Sequence, residues 1–154
     1  MKNLMATKRR MEATKTNTNS FIGSEMYKWL NGECFNSLPS DLKSLIKPVN
    51  KKTSAGNQST SIRTDAMKLW LFSENEVFGT KTYSTGNEGT KYPIFTDDNS
   101  RIKKLSNGTG NTTWWWLRSP NASSSNYFCD VYSDGAAYGD GASYTYGVCF
   151  GFSI

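Results

Sequence analysis

The chain has 154 residues, of which 36% are apolar and 14% aromatic, enough for one domain with a packed interior. It carries 18 Lys and Arg against 13 Asp and Glu, and it contains no His and only three Cys. Without His or a C-x-x-C spacing a transition-metal site has no ligand set, and no apolar run is long enough for a membrane span or a signal peptide. No metal and no other cofactor is expected.

Residues 1–20 are basic, rich in Thr and Asn, and lack apolar periodicity, which reads as a flexible basic arm ahead of a domain over 21–154. The cluster Lys8-Arg9-Arg10 reads as a solvated tail rather than a nucleic-acid site. Met26, Trp29 and Leu30 then fall at helical spacing behind a Ser24 cap, predicting a short core helix that stops near Asn31-Gly32. A second helix is predicted over 40–46, entered after Pro39 and stopped before Pro48. Residues 51–64 read as an exposed loop or hairpin, and the run AMKLWLF over 66–72 as a buried strand. Ser73 with Glu76 three residues on is a capping-box pattern, so a helical turn should begin there. A polar loop over 81–91 and a third helix over 98–105 follow, ended by the Asn107-Gly108-Thr109-Gly110 turn.

The string Trp114-Trp115-Trp116-Leu117-Arg118-Ser119-Pro120 is the most specific in the chain. Successive side chains of an extended segment alternate faces, so the three rings must divide between the core and a second cluster or rim. Arg118 is expected to tie loop carbonyls or a carboxylate through its planar fork.

Residues 121–154 carry five of the eight tyrosines, six serines and five glycines, and only three charges, Asp130, Asp134 and Asp140. They contain no Lys, Arg, Glu, Gln, Met, Trp or Pro, so residues 1–120 hold +8 and the tail −3. Such a vocabulary suits a binding surface, with Tyr as rigid amphipathic contact area and Ser, Gly and Asn as adaptable hydrogen-bonding groups. Phosphate would be repelled by this acidic face, so nucleic acid is not an expected partner. From Cys129 to Gly151 every odd position is small and the even positions hold the large or charged groups, which predicts a small inward face and an outward Tyr/Asp face. The glycines predict short strands broken by turns at 133–135 and 139–141. Cys129 and Cys149 both fall on the small face, as buried free thiols or as a disulfide pinning the tail.

The order of short helices, KLWLFS strand, WWWLRSP and Ser/Asn/Gly/Tyr tail closing in Gly147-Val148-Cys149-Phe150-Gly151-Phe152 resembles C-type-lectin-fold domains of gut bacteria and their phages. The tail resembles the variable region of proteins diversified by retroelements, the group that includes the phage major tropism determinant. There, mutagenised adenines turn Asn codons into NNC or NNT codons, which cannot encode Lys, Glu, Gln, Met or Trp, and the tail has none of the five. The resemblance implies an α+β, C-type-lectin-like fold, with short helices around small antiparallel sheets and long loops, and a variable region over 121–154. Carried over by position, it places the diversified, ligand-binding set on Ser125, Tyr127, Asp130, Tyr132, Asp134, Ala136, Tyr138, Asp140, Tyr144 and Tyr146. It places the fixed scaffold on Trp115, Leu117, Arg118, Cys129, Val131, Gly135, Gly147 and Phe150. One departure stands out: related domains open with a strand that pairs with the C-terminal one, and residues 1–20 do not obviously supply it.

The function expected from these residues is binding of a protein or glycan receptor on a cell surface, from a phage virion or bacterial surface, without catalysis. A trimer would suit a phage fibre. Two rival readings are a calcium-dependent lectin using Asp130, Asp134 and Asp140, and a structural virion protein. A third is an enzyme using the Cys129 and Cys149 pair, against which the absence of His and of any nucleophile-base pairing counts.

Overall fold

The structure is a computed structural model that describes residues 3–5, 7–106 and 111–154, with residues 3 and 4 described by their backbone alone. The turn expected over 107–110 lies outside the described residues. The fold is α+β, with short helices around small sheets.

Ser24 caps α1 (Glu25–Trp29) by accepting a hydrogen bond from the Tyr27 backbone N–H, as the spacing required. The helix does not stop at Gly32 but widens into a π-helical turn, Leu30–Cys34. Asn31 holds that turn in place, because its side chain both donates to the Leu69 carbonyl (2.9 Å) and accepts from the Leu69 N–H (3.0 Å). The second helix, α2 (Ser40–Leu45), follows Pro39 as expected.

Strands β2 (Val49–Ser54) and β3 (Ile62–Met67) form an antiparallel hairpin across the polar stretch. The strand expected over 66–72 is split, since β3 ends at Met67 and β4 (Trp70–Leu71) pairs instead with β10 (Phe150–Gly151). Ser73 and Glu76 make the predicted capping box at the start of α3 (Glu74–Phe78). The third helix is shorter than its sequence suggests: α4 (Asp98–Arg101) gives way to β5 (Lys103–Leu105), which pairs antiparallel with β6 (Thr112–Thr113). On its other side β5 takes β1 (Asn3–Leu4) in parallel, so not every sheet is antiparallel.

At the centre stands the antiparallel sheet of β7 (Trp115–Pro120), β8 (Tyr127–Val131) and β9 (Ala137–Gly141). Its two faces pack against separate apolar cores. Trp115, Leu117, Cys129 and Val131 join Val77, Phe95 and Cys149 on one side. Trp116 and Phe128 join Met11, Phe21, Met26, Leu30, Met67, Leu69 and Val148 on the other. This division accounts for the triple Trp: Trp115 and Trp116 are each fully buried in a different core, and Trp114 stays half-buried at the rim.

Arg118 on β7 is fully buried. A guanidinium there must have every donor engaged, and it does. It donates to the carbonyls of Lys52 (3.0 Å), Leu71 (2.8 Å) and Glu88 (2.8 Å), to the Thr53 hydroxyl (3.1 Å), and bidentately to Glu76 (2.5 and 3.1 Å). Burial alone would raise the Glu76 pKa, but Arg118 and Lys51 prevail and hold its carboxyl below the usual carboxylate range. Lys51 adds its own bond to Glu76 at 2.9 Å. One side chain thus joins β2, β4, α3, β7 and the loop at 88.

Substituting Arg118→Met removes one partner and strands the Glu76 carboxylate, so a loss of about 3–5 kcal/mol is expected in urea unfolding. Arg118→Lys should fall close to the same value, because one ammonium cannot span these acceptors. A loss below about 1 kcal/mol for Arg118→Met would contradict the central role given to this group.

Candidate functional site

Residues 7–20 are not free in the structure, and the expected flexible arm is corrected there. Met11 is fully buried and shares the core of Trp116 and Phe128. Arg9 and Tyr146 exchange backbone hydrogen bonds (2.8 and 3.0 Å), the Met5 N–H donates to the Val148 carbonyl (3.0 Å), and the Trp116 indole N–H donates to the Arg9 carbonyl (2.8 Å). The N-terminal segment therefore runs along the chain's end, supplying the pairing that the sequence did not reveal. Asn17 works as a clamp within it. Its amide donates to the carbonyls of Ser124 (2.8 Å) and Tyr127 (2.6 Å), its side-chain oxygen accepts from the Asn57 N–H (2.9 Å), and its own N–H donates to the Ser125 carbonyl (2.7 Å).

The turn at 133–135 forms as predicted between β8 and β9, with Gly135 at a φ of 91°. A Cβ there would lie 2.2 Å from the Asp98 carbonyl oxygen, so glycine is required twice over, by conformation and by contact. Arg101 Nε fixes the turn by donating to the Gly135 carbonyl at 2.8 Å. The second expected turn, at 139–141, is instead part of β9.

The structure leaves most of the predicted binding set at least partly accessible but divides it between faces, since β8 turns Tyr127 to the side of Cys129 and Val131 while Tyr138, opposite Asp130, lies on the other. Tyr127, Tyr138 and Tyr144 are exposed (39%, 44% and 45%) and so are Asp134 and Ala136. Tyr132, Asp140, Tyr146 and Ser125 are half-buried, Ser125 beneath the N-terminal segment. Asp130, expected on the outward face, is fully buried, which corrects that assignment. The even-numbered side of β8 faces a second core rather than water, so alternation predicted the face of Asp130 but not what covers it.

Trp114 joins the tyrosines into a continuous array, with ring centroids 4.6 Å from Tyr132, 4.9 Å from Tyr146 and 6.1 Å from Tyr138. Tyr83 meets Tyr138 at 6.1 Å, and Tyr144 meets Tyr146 at 6.3 Å. Lys15 lies over the Tyr144 ring at 4.9 Å. No sequence signal marks Tyr83 or Lys15 as belonging here, since both lie far from the tail in the chain. Trp114 carried a signal in its place at the head of the WWW string.

Beneath this array, among the described residues no backbone or basic group donates to either carboxylate oxygen of Asp130 or to Oδ2 of Asp140, whose carboxyl interacts with both Asp130 and the Tyr146 phenol. Burial first, and the neighbouring Asp140 second, push the Asp130 pKa well above the usual aspartate range, which favours its protonated form. Burial and the same carboxylate raise the Tyr146 phenol, keeping it protonated. Asp134 uses its Oδ1 to accept the Ala136 N–H at 2.9 Å within the turn. Among the described residues no three Asp, Glu, Cys or His side chains converge on a point that could hold a metal ion. Cys34, Cys129 and Cys149 are buried free thiols, so the Cys129–Cys149 disulfide alternative is not realised. Burial, with Glu74, Glu88 and Asp130 nearby, pushes the Cys129 thiol up and away from the nucleophilic thiolate.

A raised carboxyl pKa makes stability fall as pH rises. Above the ordinary value of 3.8 the unfolded chain releases the Asp130 proton while the folded chain keeps it, until the raised native pKa is passed. Glu88, lifted to about 7 chiefly by burial, acts in the same direction from 4.5 upward. Asp130→Asn leaves Glu88 unchanged and removes only the first contribution. Its urea midpoint should therefore gain steadily on the unsubstituted chain between pH 4 and 8, an interval of about four pH units; a difference independent of pH would show that Asp130 is ionised in the folded protein.

No curated protein and no solved structure matches this chain. The family model for a domain of unknown function, DUF6273, matches residues 1–154, spanning the N-terminal segment, the Arg118 network and the tyrosine surface together. The chain belongs to the DUF6273 family.

Proposed function

We propose that this protein binds a protein or glycan receptor through the tyrosine surface of residues 121–154, displayed on a C-type-lectin-like scaffold and diversified by a retroelement. The observation that carries the reading is the contrast within one segment. Tyr127, Tyr138 and Tyr144 stand exposed while Cys129, Val131, Gly135 and Gly147 of the same segment are buried. A surface built this way can change its side chains without changing its backbone. Exposed tyrosines on a fixed frame supply contact area with little entropy left to lose, which suits anchoring residues. The narrow vocabulary of the tail agrees with NNC and NNT codons. A place on a phage virion or bacterial surface, as a monomer or a trimer, follows from the same resemblance.

The test is binding of the fluorescently labelled protein to a panel of intact bacterial strains, compared with its Tyr127→Ala, Tyr138→Ala, Tyr144→Ala triple variant. Because these rings are exposed, the melting temperature should move by no more than about 2–4 °C. Binding to the recognised strain should weaken roughly 100-fold or more. Undiminished binding, or unfolding of the variant, would remove the tyrosine surface from consideration. The diversification itself is tested at the gene: a near-copy of the segment coding for 121–154, differing only at adenines and lying beside a reverse transcriptase, is expected, and a locus with neither counts against it.

A further inference from the structure

A second concave surface lies beside the tyrosine array and does not use its exposed rings. One hollow of about 330 Å³ is walled by Lys8, Arg9, Arg10, Glu25, Trp29 and Thr145. Another of about 370 Å³ is walled by Lys8, Thr145, Trp114, Tyr146, Ser133 and neighbouring threonines. They share Lys8 and Thr145, so they form one groove with two chemically different halves.

The first half is cationic and ordered. Arg9 is held 4.0 Å over the Trp29 ring, and its backbone is tied to Tyr146, so this guanidinium is not a freely moving tail. Arg10 donates to Glu25 through Nε alone at 3.1 Å, leaving its terminal N–H groups directed to no protein acceptor among the described residues. Lys8 is exposed and has no carboxylate partner among the described residues. Glu25 is thus the one acid in the wall against Lys8, Arg9 and Arg10. Among the described residues the second half has no cation besides Lys8, and offers hydroxyl side chains with the Trp114 and Tyr146 rings.

We infer that this groove binds a glycan bearing a single acidic group, a carboxylate or a sulfate ester, beside neutral sugar. The acid meets the forked donors of the cationic half, which suit planar or tetrahedral oxyanions. The neutral ring lies against the aromatic faces and hydroxyls of the other half. A nucleic acid fits less well, because it carries a phosphate on every unit and the second hollow supplies no further cation to meet the next one. The cationic half contains none of the diversified positions and the other half only Tyr146, so the acid-binding part of the groove would persist while the neighbouring surface varies.

The experiment is calorimetric titration of the full chain with 3′-sialyllactose and 3′-sulfolactose, against lactose and the oligonucleotide dT4. At least one acidic sugar should bind ten-fold or more tighter than lactose, and which one does identifies the acid. The Lys8→Ala, Arg10→Ala double variant should lose ten-fold or more of that affinity. Thr145→Tyr, an exposed substitution where the two hollows meet, should abolish it with the melting temperature retained. The triple tyrosine variant described above should keep it, so the two proposals can fail separately. Lactose binding as tightly as the acidic sugars, tighter binding of dT4, undiminished affinity in the double variant, or no binding of either acidic sugar would each overturn the inference.

Discussion

A guanidinium with no access to water is tolerated only where every donor finds an acceptor, and meeting that demand for Arg118 organises this protein. Its partners come from β2, β4, α3 and the loop at Glu88, elements that are separate in the chain. Glu76 neutralises it, the Ser73 capping box orients Glu76, and Lys51 completes the ion pairs. Glu88, whose carbonyl meets Arg118, also accepts from the Ser54 N–H and from the Ser119 hydroxyl. With so many short elements and loops, a polar hub supplies the directional restraint that the two apolar cores alone would leave loose.

The central sheet lies between those cores, and this sets the character of the binding surface. A strand buried on both faces cannot offer its alternate residues to solvent, so β8 reaches solvent only at its start, Tyr127, and just past its end, at Tyr132, and the accessible face continues along β9. The N-terminal segment closes the remaining edge. Met11 enters the core beneath it, and Asn17 donates to the Ser124 carbonyl and adds a second donor to the Tyr127 carbonyl, which also accepts from the Asn121 N–H. The same segment brings Lys8, Arg9 and Arg10 beside Thr145 and Tyr146, so a cationic wall and an aromatic one meet at the boundary between the two ends of the chain.

Local signals in the sequence were read correctly wherever the cause was local. The Ser24 cap, the Ser73 capping box, the Pro39 entry to α2 and the Gly135 turn depend on a few neighbouring residues and took the predicted form. The Trp115 and Trp116 rings divided between two cores, as alternation demands of consecutive residues in a strand. Readings failed where a distant partner decided. The π turn past Gly32 is held by Leu69, the break between β3 and β4 serves pairing with β10, and residues 139–141 stay in a strand because Tyr127, Phe128 and Cys129 pair with them.

The sequence by itself determined which residues cap, turn and alternate, that Arg118 would need several acceptors, and that Tyr132, Tyr138, Tyr144 and Tyr146 would share a face. Only the tertiary structure decided that Asp130 lies buried against Asp140, that Tyr83 and Lys15 join the aromatic array, and that the basic N-terminal segment is packed along the tail. The reason is physical. Backbone geometry and local hydrogen bonding are fixed within a few residues, whereas burial is set by whatever segment comes to lie on top, and here that segment is about a hundred residues away or more in the chain.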